Sequence, residues 1–248
     1  MRKNAATFAP ALLVIGTCVL FKWSFAGADA TRLDWLLAPA STLVSLISGL
    51  SFVWLDSAGY YNAEHGILIA PACSGLNFFI ILLATGGSLV MLYRRSLPWL
   101  AVATASAYTA ALAVNVLRIL LAMELYRHNF SVGPIGPERV HRIEGVVVYY
   151  VCLCLYAMVF SALLRKSAPA ERRFRGPGCS VLLPLGCYLL FTLVLPLANG
   201  AARKFVAFAE HGVTVLLLTA TLTAALYYVY RKRSRNHHEL EQAENTHR

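Results

Sequence analysis

Long apolar runs separated by short polar stretches set the pattern of this chain. Apolar segments fall at about 8–26, 35–55, 74–93, 97–126, 145–164, 179–198 and 212–230. Most approach or exceed the roughly 20 residues that a helix needs to cross a bilayer. The pattern predicts an all-α fold, a polytopic integral membrane bundle of six to eight spans. The stretch 35–55 stands apart, because Ser41, Thr42, Ser45, Ser48 and Ser51 interrupt it. It reads either as an interfacial segment or as one packed inside the bundle. The first run reads as a retained anchor rather than a cleaved leader, since spans of similar character follow it. One membrane domain is expected over 1–230, followed by a basic, polar cytoplasmic tail at 231–248. No repeat and no soluble domain interrupts the series.

Composition changes this picture little. Hydrophobic residues make up 58% of the 248 positions, 14% are charged, and the mean hydropathy is +0.60. A soluble domain would be nearer half apolar and a quarter charged. The formal net charge of +10 raises the question of nucleic acid, and the placement of the charge answers it. Arg94 and Arg95 close one segment. Arg165, Lys166, Arg172, Arg173 and Arg175 follow another, and Arg231, Lys232, Arg233 and Arg235 follow the last. These clusters come after alternate crossings, as the positive-inside rule requires. No aromatic-interleaved basic module accompanies them, so the expected partner is the lipid bilayer and not nucleic acid.

With the basic clusters in the cytoplasm, the rest of the topology follows. The stretch 56–72 has Asp56, Glu64 and His65 but no Lys or Arg, which places it outside. The run from Ser74 then travels inward and the run from Leu97 outward. Arg118 lies about 30 Å of helix beyond Pro98, near the outer surface. The loop at 127–141 is external, and the following helix returns toward Arg165. One conflict is left. Two crossings before an external loop would put Arg2 and Lys3 outside, against their charge. Either the short tail is translocated, or one of the first two segments does not cross.

Three groups stand at that outer boundary. Pro71-Ala72-Cys73-Ser74-Gly75-Leu76 sets a thiol where a loop meets an apolar run, with Pro71 suited to a first helical turn. A thiol at a helix N-terminus gains thiolate character from the dipole. The competing reading is a packing cysteine beside a glycine bend. Arg118 interrupts an apolar run, with Asn115 one turn earlier on the same face, and Ala111 and Tyr108 further along it. An Arg at membrane depth is costly and marks a polar face turned toward other helices or a wet cavity. A snorkelling Arg is the alternative. His141 follows Gly136-Pro137-Glu138, a helix start, and shares a stripe with Glu138, Glu144 and Gly145. Histidine is the natural proton shuttle near neutral pH, although a solvated cap is the commoner role for an interfacial one. His65 is an alternative base and His128 a weaker one. His211 is remote in the chain, and His237 and His238 are cytoplasmic. Cys18, Cys152, Cys154, Cys179 and Cys187 lie in or beside apolar runs as small hydrophobes. Cys152-x-Cys154 does not share a helical face, so no zinc site or redox pair is expected.

Three blocks, Pro71-Ala-Cys73-Ser74-Gly75-Leu76, Asn115-Val-Leu-Arg118 and His141-Arg-Ile-Glu-Gly145, resemble those of the exosortase/archaeosortase family of membrane proteins, with an exosortase K-like form as the candidate subtype. Outside 56–165 the likeness is only hydrophobic character. The resemblance implies a cysteine peptidase/transpeptidase in the bacterial cytoplasmic membrane, with its site facing outward. It implies Cys73 as nucleophile, with Arg118 and His141 completing the catalytic set. Asn115, Glu144, Ser74 and Gly75 would support them. It implies exported protein substrates that carry a C-terminal sorting tail: a short motif (often Pro-Glu-Pro), a transmembrane helix and a basic cluster. No metal and no organic cofactor is called for. Two other classes stay open on the residues alone. One is a small transporter or scaffold that holds an anion at Arg118, and the other is a bundle subunit without chemistry.

Overall fold

The computed structural model describes residues 2–128, 136–166, 178–198 and 205–246, with side chains placed at 9–128, 136, 139–166, 181–198 and 208–228. The helices are α1 (Arg2–Ser24), α2 (Asp34–Ser48), α3 (Leu76–Tyr93), α4 (Leu97–Arg127), α5 (Pro137–Lys166), α6 (Gly178–Leu189) and α7 (Phe205–Thr246). α6 continues through a π-helical turn, Leu190–Val194, into Leu195–Ala198. Among the described residues, five helices are long and apolar enough to cross a membrane. The centre of the bundle is α3, whose apolar window is 78% buried against 11–39% for the other four. Phe78, Ile80, Ile81, Leu82 and Ala84 of α3 pack there with Tyr150, Leu153 and Phe191. The molecule is a helical membrane protein.

The conflict at the amino terminus resolves in the packing. α1 runs antiparallel to α3: Ser88 Oγ donates to the Ala11 carbonyl at 3.4 Å, and the Phe21 ring meets Phe79 edge-on at 6.4 Å. The start of α1 therefore lies at the Arg94–Arg95 end and its finish at the Cys73 end. α2 has only 15 residues, about 22 Å of helix and short of the ~30 Å hydrocarbon core. The segment read at 35–55 thus does not cross. Gly49 stops the helix in the left-handed conformation at φ +75°, and the chain turns into strands. α2 packs beside the outer half of α4, with Leu37, Ala40 and Val44 buried against Val116 and Ile119. With one non-spanning segment, the starts of α1 and α4 and the ends of α3 and α5 lie at one end, the basic one. Arg172, Arg173 and Arg175, like loop residues 129–135, lie outside the described residues, as do the side chains of Cys179, Glu138 and Arg231–Arg235.

The stretch 56–72, expected outside on charge, is more ordered than a loop. β1 (Val53–Leu55), β2 (Gly59–Asn62) and β3 (Ile67–Ile69) form an antiparallel sheet in the order β1-β2-β3. It is tied to α2 by Tyr60, whose hydroxyl donates to Asp34 Oδ1 at 3.0 Å. Burial, and then the hydrogen bond and charge of Asp34, push the Tyr60 hydroxyl above its ordinary range, so it stays protonated and donating.

Two prolines free carbonyls that other helices then use. Pro39 in α2 has no N–H for the Trp35 carbonyl, and Tyr108 of α4 donates there at 2.9 Å. In α6 the Leu195 N–H is turned to the Leu190 carbonyl by the π turn. The Phe191 carbonyl therefore loses its α-helical partner. Its next donor in the π register would be residue 196, which is Pro196. Lys22 Nζ of α1 donates to it instead at 2.6 Å. An orphaned carbonyl among apolar helices is costly, and a lysine that satisfies it joins α1 to α6.

Candidate active site

The loop after β3 sets the thiol. Pro71–Cys73 form one 3-10 turn, closed by Cys73 N–H on the Ala70 carbonyl at 2.7 Å. This differs from the expected helix start at Pro71. Gly75, left-handed at φ +73°, separates the turn from α3, which begins at Leu76. Cys73 thus sits on a short turn just outside the helix. Ser74 is buried, and its Oγ accepts the Leu76 N–H at 3.3 Å. Ser74 and Gly75 shape the turn.

Asn115, 1% exposed, holds that turn from α4. Its Nδ2 donates to the Cys73 carbonyl at 2.7 Å, and its Oδ1 accepts the Tyr149 hydroxyl at 2.9 Å. Only glycine fits opposite it, because a Cβ at Gly75 would lie 2.9 Å from Asn115 Cγ. The Tyr149 ring stacks on Phe78 of α3, with centroids 4.5 Å apart and planes 12° from parallel. The Arg118 guanidinium also lies against this ring, 5.3 Å from its centroid, a cation–π contact. One tyrosine therefore links the Cys73 turn to the arginine.

Arg118 Nη2 lies 3.1 Å from His141 Nε2. A guanidinium only donates, so Nε2 accepts and the imidazole carries its proton on Nδ1. That nitrogen faces the Glu144 carboxylate 3.3 Å away. The spacing would suit an ion pair once the imidazole is protonated, and neither atom finds an aligned hydrogen-bond partner among the described residues. Arg118 Nε is also buried and without an acceptor. At Gly145 a Cβ would come 2.9 Å from that Nε, so this glycine lets the guanidinium lie flat against α5. Cys73, Arg118 and His141 all line one cavity of about 1010 Å3 at the end of the bundle opposite Arg94 and Arg165.

The model of the transmembrane exosortase family (Exosortase_EpsH) matches residues 2–158, which includes every residue of this cavity wall and of the Asn115–Tyr149 link. The chain belongs to the transmembrane exosortase family. No curated protein and no solved structure matches it. Membership makes it a multi-pass membrane protein and a cysteine peptidase-type enzyme, with a transpeptidase or sorting role on exported proteins.

In this exosortase the three residues expected to do chemistry share a cavity, while the expected supporting residues divide. Asn115 and Glu144 touch members of the trio, and Ser74 and Gly75 act on the backbone. The alternative base His65 is exposed and lines the same cavity. His128 instead pairs with Glu124 at 3.5 Å, and His211 is not part of the cavity lining. Tyr149 was missed in the sequence reading. Its signal was present: it lies eight residues after His141 and four after Gly145, on the same helical stripe. Tyr126, whose ring is 5.7 Å from the His141 ring, was missed as well.

Proposed function

We propose that this exosortase cleaves the C-terminal sorting signals of exported proteins through an acyl-enzyme on Cys73, at the outer face of a bacterial cytoplasmic membrane. Residues 1–230 form the catalytic membrane domain and 231–248 its cytoplasmic tail. The substrate's own transmembrane helix docks laterally and presents the scissile bond at the outer boundary. The observation that carries the reading is one cavity lined by a cysteine, an arginine and a histidine, with Arg118 bonded to a neutral His141 backed by Glu144.

The chemistry follows from the protonation pattern. A second proton on His141 Nε2 would set two cations face to face, so charging the imidazole and releasing Arg118 go together. The Cys73 thiol gives its proton to Nε2, and Glu144 compensates the imidazolium. The thiolate attacks the scissile carbonyl carbon, and the released guanidinium, with its unpartnered Nε–H, meets the developing oxyanion. The C–N bond breaks, the leaving amine takes the proton from Nε2, and a thioester remains on Cys73. An amine acceptor or water then attacks the thioester and gives its proton to His141. The C–S bond breaks, and the thiolate is reprotonated. No metal is needed in this scheme.

Processing of a tail-bearing exported reporter tests it, comparing wild type with Cys73→Ala at matched membrane abundance. Accumulation of the unprocessed reporter with Cys73→Ala is the expected result. Unchanged processing removes Cys73 as nucleophile and withdraws the mechanism.

A further inference from the structure

We propose that the outer edge of β3 is the binding subsite for the substrate's scissile segment, which joins the sheet as a fourth, extended strand and is led by it to Cys73. This rests on the sorting-peptidase reading above and names how that substrate is held.

Three observations converge. The sheet order β1-β2-β3 leaves β3 paired on one side only among the described residues. Side chains of a strand alternate between faces, yet Ile67, Leu68 and Ile69 all line the active-site cavity, as do His65 and Gly66 before them. A cavity that meets three consecutive strand residues meets the strand edge-on, and β2 contributes nothing to its lining. The cavity is therefore on the unpaired side of β3, with Ile119 and Met123 of α4 also in its wall. Finally, β3 ends at Ile69 and the turn carrying Cys73 begins at Pro71. A peptide laid along β3 is thus delivered to the turn that carries the thiol, which starts after the single residue Ala70.

The edge has the properties of a receptor strand. It is apolar, and it carries none of the lysine, proline or bulge that blunts an edge against pairing. Main-chain hydrogen bonds to such an edge bind a peptide without regard to its sequence, and pockets for alternate side chains supply selectivity. The occupant must be extended, because a helix about 10 Å across satisfies its own backbone and offers the edge no partners. The scissile segment is thus pulled out of helical form before cleavage, while the apolar tail beyond it stays in the bilayer.

The test uses full-length protein in its membrane and a tail-bearing reporter. A photo-crosslinking residue is placed at each of six successive positions before the scissile bond, with Cys73→Ala to hold the complex. Strand addition predicts crosslinks to α4 at every second position. Crosslinks at every third or fourth position, or equally at all, overturn it. Separately, Leu68→Pro and Ile67→Pro remove N–H groups from opposite edges of β3, so one of them lies on the substrate side. One variant is expected to raise KM about five- to tenfold, with kcat and the iodoacetamide alkylation rate of Cys73 unchanged. The alkylation rate, read with the other cysteines replaced, checks that the turn is still folded. Unchanged KM in both variants overturns the subsite while leaving the nucleophile in place. Wild-type processing by Cys73→Ala instead removes the sorting-peptidase reading, and the subsite falls with it.

Discussion

Adding one methyl group at Gly145 should lower activity while changing stability less. Gly145 lies inside α5, where alanine is favoured over glycine by about 1 kcal/mol, so the helix gain offsets part of the stability that displacing Arg118 removes. The same Cβ would lie 2.9 Å from Arg118 Nε, closer than a real contact allows. Arg118 has little freedom to yield, since it is bonded to His141 at 3.1 Å and lies on the Tyr149 ring. Displacing it costs the charged hydrogen bond, worth about 1.5–3 kcal/mol. If the guanidinium acts in the transition state, kcat/KM should fall roughly 10- to 150-fold. The assay is reporter processing at matched membrane abundance, alongside thermal unfolding in detergent. A double-mutant cycle with Arg118→Lys locates the effect, because the shorter cation removes the clash and Gly145→Ala should then cost little more. Wild-type processing by Gly145→Ala, or losses that simply multiply across the cycle, would refute the placement of Arg118.

Three further outcomes follow from the same contacts. Tyr149→Phe keeps the ring between Phe78 and Arg118 but strips the buried Asn115 Oδ1 of its donor; kcat should fall about tenfold and stability by about 1 kcal/mol, read as kcat against KM together with thermal unfolding and the alkylation rate of Cys73. Gly75→Ala places alanine at φ +73°, which costs about 1–2 kcal/mol, and drives a Cβ into Asn115, so stability and processing should both drop, measured by thermal unfolding and by the reporter. Lys22→Ala orphans the Phe191 carbonyl in the π turn and should lower stability by about 1 kcal/mol without changing the alkylation rate of Cys73, as a thermal shift in detergent would show.

The sequence by itself determined the class of this protein and that Cys73, Arg118 and His141 stand at one end of the bundle. A bilayer accepts only apolar helices of a fixed length, so the run lengths mark the spans, and clustered Lys and Arg mark the cytoplasmic ends. Cys73, Arg118 and His141 were legible for the same reason, since polar groups at membrane depth are too costly to be incidental. Sidedness is a one-dimensional property that a linear pattern can carry; contact is not. That 35–55 stops short of crossing was decided by Gly49 and by the fit of α2 against α4, which no hydropathy pattern encodes. The sheet at 53–69 is built from short strands, β1 at the end of the apolar run 35–55 and the other two in the stretch 56–72 read as a loop, and pairing across turns gave it order. Tyr149 was invisible as a site residue because a tyrosine on an apolar helix looks like packing. Its role arises only where α3, α4 and α5 converge, with Phe78 on its ring, Arg118 against it and Asn115 at its hydroxyl.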